Sequence, residues 1–134
     1  MKVVFDTNVM VSGLLSPHNA PGQLLYRLAQ GELRALYDAR MMAEYMDVLH
    51  RPDFAIASDI AGKLLLHIEE EGLLIIPHRL PTRLPDLTDE PFLEVAAEGH
   101  ADALITGNLR HYPTAARHGV NVVSPRDFLD SLKN

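Results

Sequence analysis

The chain has 134 residues, 47% of them hydrophobic and 22% charged, which suits one globular domain with a substantial core. Its formal net charge of −6 argues against tight, indiscriminate binding to nucleic acid through phosphates alone, and the lack of cysteine excludes disulfides and thiolate metal sites. No apolar run approaches the roughly 20 residues that a membrane span needs, and one Lys followed by Asp6 does not read as a secretory leader, so the cytoplasm is expected and no membrane partner is.

The run Lys2-Val3-Val4-Phe5 ends abruptly in Asp6-Thr7-Asn8. It reads as a buried strand that delivers one carboxylate and two small polar side chains to its carboxyl end. A helix over 21–30 leads to a second strand around 33–37, then to a helix over 41–49 and a longer one over 54–71. A strand follows at 73–76. The proline-rich stretch 77–91 reads as a stiff loop, and it carries Asp86 and Asp89. A helix over 92–98 precedes a strand over 103–106, whose tip continues as Thr106-Gly107-Asn108. The last elements are a strand over 120–123 and a helix over 125–132, with Ser124 as N-cap and Pro125 at the first helical position. Strands alternating with helices predict an α/β fold with a mainly parallel sheet covered on both faces, as one domain over 1–134. Ligands in such sheets sit outside the carboxyl ends of the strands, so the polar tips predict an acidic pocket there.

Each candidate also has a plainer reading. Asp6 alone could close a turn; Thr7 and Asn8 beside it favour chemistry, since short hydroxyls and amides can hold metal-bound water. Asp89 and Glu90 could complement a helix dipole, a role that leaves Asp86 unused. On the 41–49 helix, Met42, Tyr45, Met46 and Leu49 form the apolar stripe, and Glu44 falls nearly opposite, facing solvent. None of the seven histidines shows metal-ligand spacing, so a zinc site is not expected; His111 follows the Thr106-Gly107-Asn108 tip and could border the pocket, but reads first as a surface-loop histidine. Arg51 and Arg110 flank the suspected site, as phosphate contacts or as partners in surface ion pairs.

Taken together, the segments resemble the PIN-domain family, in particular its bacterial toxin–antitoxin toxins (VapC-like). The likeness lies in Val3-Val4-Phe5-Asp6-Thr7-Asn8-Val9-Met10-Val11-Ser12-Gly13-Leu14-Leu15, in Glu44-Tyr45 with Val48-Leu49-His50-Arg51-Pro52, in Asp86-Leu87-Thr88-Asp89-Glu90-Pro91-Phe92-Leu93 and in Ala101-Asp102-Ala103-Leu104-Ile105-Thr106-Gly107-Asn108, in the family's order. The resemblance implies a three-layer α/β/α fold and a divalent-metal-dependent ribonuclease using Mg²⁺ or Mn²⁺. Asp6, Glu44 and Asp89 match the family's acids, which promotes Glu44 over its helical-wheel position. Thr7, Asn8, Ser12 and Thr106 match polar pocket positions. An RNA substrate, an antitoxin partner and a homodimer or higher oligomer are implied with it. In one respect the chain departs from the family. Many relatives carry a further aspartate after the last of these strands, where this chain has Asn108 and, later, His111. Asn108 can ligate a hard cation without adding charge, and Asp86 or Asp102 could compensate. One firmly held cation is therefore expected, with a second weak or brought by substrate. The rival readings are a PIN-fold nucleic-acid-binding or scaffold protein with a decayed site, and a phosphohydrolase with Asp6 as nucleophile. The latter usually has a second Asp two residues on, where this chain has Asn8.

Overall fold

A computed structural model describes residues 1–133. Strand β1 (Lys2–Phe5) forms its centre, with Val3, Val4 and Phe5 fully buried. Ala103, Leu104 and Ile105 of β4 (Ala103–Ile105) are equally buried. Consecutive strand residues point to opposite faces, so burial of every one means that both faces are covered, as in all-parallel sheets. With β2 (Arg34–Tyr37), β3 (Leu73–Leu74) and β5 (Val122–Val123), these strands form one five-stranded sheet in the order β3-β2-β1-β4-β5. All four pairings are parallel, with Val3 opposite both Ala35 and Ala103.

Among the described residues, six α-helices complete the three-layer α/β/α fold: α1 (Thr7–Leu15), α2 (Ala20–Ala29), α3 (Ala39–Leu49), α4 (Ser58–Glu71), α5 (Glu90–Glu98) and α6 (Pro125–Ser131). Helix α5 lies against β1, β2 and β4; α1 packs on α2, α2 on α6, and α4 on β2 and β3. None is long and apolar enough to cross a membrane.

The caps are local and legible. Asn19, Asp38 and Ser124 accept hydrogen bonds from the amides of Gly22, Met41 and Asp127 at the starts of α2, α3 and α6. Helix α1 is absent from the sequence reading, which ended the strand in a polar tip. Its TNVMVSGLL has no polar stripe to reveal a period, because Thr7, Val9, Met10, Val11 and Gly13 are all buried. At Gly13 a Cβ would stand 2.6 Å from Leu25 Cδ1 and 3.0 Å from the Pro21 carbonyl, so glycine eases the close approach of α1 and α2.

The helix expected over 54–71 begins at Ser58, since Phe54 closes a short 3₁₀ turn and Ala55 takes a left-handed φ of 53°. The strands expected over 73–76 and 120–123 each shrink to two residues at the sheet's edges.

Candidate active site

Counting outward from the middle of the sheet, the chain runs one way from β1 to β2 and β3, and the other way to β4 and β5. The reversal lies between β1 and β4, which opens a crevice outside their carboxyl ends. Asp6 follows β1 there and Thr106 follows β4. The Thr106 hydroxyl donates to Asp6 Oδ2 at 2.7 Å, and both residues are buried. The Asp6 amide meanwhile donates to the Ile105 carbonyl at 3.0 Å, which pins the two tips together.

Helix α3 enters from the side. The Tyr45 hydroxyl donates to the Phe5 carbonyl, and its ring meets Phe92 edge-on at 6.1 Å. This anchor brings the neighbouring Glu44 to the pocket, where it accepts from the Thr7 hydroxyl. Glu44 is half-buried rather than solvent-facing. The expected stripe included Met46, which is 51% exposed, in place of Met41, which is fully buried. At 100° per residue that exchange swings the buried arc by about 40° toward Glu44.

Helix α5 brings the third acid. Its Glu90 accepts from the Leu84 amide at 3.0 Å and from Arg83 at 2.9 Å, which ties the 77–91 loop to the helix rather than only complementing a dipole. Arg40 bridges Asp38 at the start of α3 and Glu94 on α5, fixing the two helices against each other. Between them Asp89, 8% exposed, faces the crevice, and its Oδ2 has no hydrogen-bond partner. His111 Nδ1 lies 3.0 Å from that oxygen without the alignment of a hydrogen bond. Asp86 is exposed, and its Oδ1 accepts from the amide and hydroxyl of Thr88 at 2.9 and 2.7 Å.

These environments set the charges. Burial pushes the Asp6 carboxyl above its ordinary value, and the Thr106 bond opposes this. Burial, then the charge of Asp6, pushes Asp89 up to about 6. The Thr88 hydroxyl and amide hold Asp86 lower. Tyr112 is fully buried with its hydroxyl unpartnered, and burial, followed by the charges of Asp6 and Asp89, raises its phenol. A buried carboxylate raised by the charge of a second buried one, with an oxygen lacking a hydrogen-bond partner and hard donor atoms throughout, fits a divalent cation, which would offset the repulsion.

The structure brings Asp6, Thr7, Glu44, Asp86, Asp89 and Thr106 together through contacts or mutual charge effects. Other expected residues lie elsewhere or make no contact there. Asp102 precedes β4 at the amino end of the sheet, where its carboxylate accepts from the Lys2 amide at 2.8 Å; in a parallel sheet that end is opposite the crevice, so it cannot compensate for Asn108. Ser12, in the last turn of α1, accepts from Nδ2 of Asn19, the N-cap of α2, at 3.1 Å. Asn8 is exposed on the first turn of α1. Arg51 pairs with Asp47 at 2.9 Å, as the surface reading had it, whereas exposed Arg110 makes no ion pair among the described residues. Asn108 is half-exposed, and its backbone amide donates to Thr106 Oγ1 at 3.0 Å.

Tyr112 escaped the sequence reading, in which His111 reads chiefly as a surface-loop residue. His111 is drawn to Asp89 by a 3₁₀ turn, Leu109–His111, which no ligand spacing announces. Tyr112 follows it into the interior.

Thr106→Val should leave the buried Asp6 carboxylate without its donor. The expected result is cation affinity reduced about 10–100-fold and stability lowered by about 1–3 kcal/mol, read by calorimetry and thermal melting. Unchanged affinity would make Thr106 a strand-end filler only.

No curated protein matches the chain significantly. A family model described as PIN domain matches residues 2–110, which span β1 through the turn after β4 and include every acid of the crevice. With that match over most of its length, and with its acids gathered at the switch point of a parallel sheet, the chain belongs to the PIN domain family, whose fold is that of nucleases.

Proposed function

We propose that this protein is a divalent-cation-dependent endoribonuclease that acts as the toxin of a toxin–antitoxin pair. The observation that carries the nuclease reading is the orphaned oxygen of buried Asp89 beside buried Asp6, an arrangement that is unfavourable without a cation and favourable with one. Asp6, Glu44 and Asp89 would hold Mg²⁺ or Mn²⁺, with the Asn108 amide as a neutral addition.

When bound, such an ion polarises the phosphodiester and lowers the pKa of its water for hydrolysis. The chain's own residues prepare the site. Thr106 fixes the orientation of Asp6, Thr7 that of Glu44, and the Tyr45 anchor keeps α3 in register with β1. Arg110, exposed and free of ion pairs among the described residues, is placed to meet an RNA phosphate. The negative net charge leaves little non-specific attraction to RNA, so productive binding relies on the cation and on local contacts.

A second reading, an RNA-binding or scaffold protein with a weakened site, draws on Asn108, which supplies no charge where relatives carry an acid.

The test is incubation of purified protein with matched RNA and DNA oligonucleotides in Mg²⁺ or Mn²⁺, alongside induced expression in a bacterial host. Internal cleavage of RNA, and growth arrest relieved by the product of an adjacent gene, are the expected results. Cation-independent RNA binding without cleavage would favour the scaffold reading. Cleavage without arrest would leave a nuclease outside the toxin role. A homodimer or higher oligomer, measured by light scattering, belongs to the same proposal.

A further inference from the structure

His111 stands beside Asp89 at the crevice, and it changes the chemistry on offer. Its Nδ1 and Asp89 Oδ2 are 3.0 Å apart, yet they are not aligned as donor and acceptor. That spacing is an ion-pair distance when the imidazole is charged, and it equally matches neighbouring ligands on an octahedral ion with bonds of about 2.1 Å. Asp86 completes the group: one ligand atom each from Asp86, Asp89 and His111 lie within 4.8 Å of one another. Both Thr88 bonds to Asp86 end on Oδ1, so they hold the carboxylate still and leave its other oxygen available. A second observation points to a ligand: the Asp89 oxygen facing the group is buried, on a residue only 8% exposed, and has no hydrogen-bond partner beyond its contact with His111.

Within the nuclease reading of the same pocket, on which this rests, the geometry points to a cation position built by Asp86, Asp89 and His111, in which an imidazole nitrogen selects a first-row transition ion over Mg²⁺. Mg²⁺ binds oxygen and gives up its water reluctantly. Imidazole nitrogen suits the transition ions, with affinity rising from Mn²⁺ through Fe²⁺ to Co²⁺. Two carboxylates and a neutral imidazole balance a dication. His111 thus adds a nitrogen ligand to a pocket of oxygens, and with it comes a preference that oxygen ligands alone would not impose.

The test uses the full chain freed of metal and loaded with one equivalent of Mn²⁺ or Co²⁺ alone. Pulsed electron paramagnetic resonance of the Mn²⁺ form should show ¹⁴N coupling from one directly bound imidazole. Calorimetry should show Co²⁺ binding at least about tenfold tighter than Mg²⁺. In His111→Asp the coupling should vanish and the Co²⁺ preference should shrink about tenfold or more. His111→Gln and Asp86→Asn, checked by thermal melting, guard against misfolding, and the first should also lose the coupling.

A wild type without ¹⁴N coupling, or coupling that persists in His111→Asp, overturns the assignment. RNA cleavage by a wild type that lacks the coupling overturns it while sparing the nuclease reading. Coupling without cleavage does the reverse.

Discussion

Asp6→Asn should cut RNA cleavage at least about a thousandfold while leaving the fold intact. The substitution keeps the shape of the side chain and removes its charge from a buried site at the end of β1, where Thr106 already holds it. If the lost charge forfeits about 4 kcal/mol of the stabilisation that a cation gives a phosphoryl transition state, the rate falls by about that factor. Because burial raises the Asp6 carboxyl, the neutral amide costs the empty protein little. The measurement pairs steady-state cleavage with circular dichroism and cation calorimetry. A folded, active Asp6→Asn protein would remove Asp6 from the mechanism.

Asp89→Asn should make the cation-free protein more stable and deaf to cations. The carboxyl sits at about 6 in the folded protein against an ordinary 3.8, so the folded state holds its proton more tightly than the unfolded chain does. The cost of charging it is absent below about pH 4, grows as the pH rises toward 6, and is complete above that. Asp6 shifts in the same direction.

Without cations, the wild type should therefore lose stability as pH rises from 4 to 7. Asp89→Asn should escape part of the loss, on the order of 1–2 kcal/mol after allowance for solvent screening, or about 3–6 °C in Tm. A cation at a hundred times its Kd should stabilise the wild type by about 2.7 kcal/mol, and Asp89→Asn by far less. Melts at several pH values, with and without Mn²⁺, read both effects. A cation-free Asp89→Asn protein less stable than wild type would mean that the carboxylate is structural.

The sheet and the two polar tips were legible because short apolar runs ending in Asp-Thr-Asn and Thr-Gly-Asn carry their meaning locally. The order of the motifs pointed to the family that the residue 2–110 match bears out. What was hidden depended on tertiary packing. Helix α1 has no polar face because it is buried along most of its length. Glu44 was misplaced through one methionine: exposed Met46 counted as core and buried Met41 did not. Asp102 looked equivalent to the tip residues in sequence, yet it begins its strand instead of ending it, and strand direction decides which end reaches the crevice. His111 was undervalued because a 3₁₀ turn, not a ligand spacing, carries it to Asp89.

The central claim, that the acids at the crevice form a cation-dependent ribonuclease site, is tested most directly with purified wild type and a mixed RNA pool. The protein is stripped with EDTA, then given back Mg²⁺, Mn²⁺ or nothing, and the fragments are mapped by sequencing their ends. No cleavage is expected after stripping, and recurrent internal cuts once a cation returns. Cleavage that survives EDTA, or a folded protein that stays inert at every cation concentration, would contradict it.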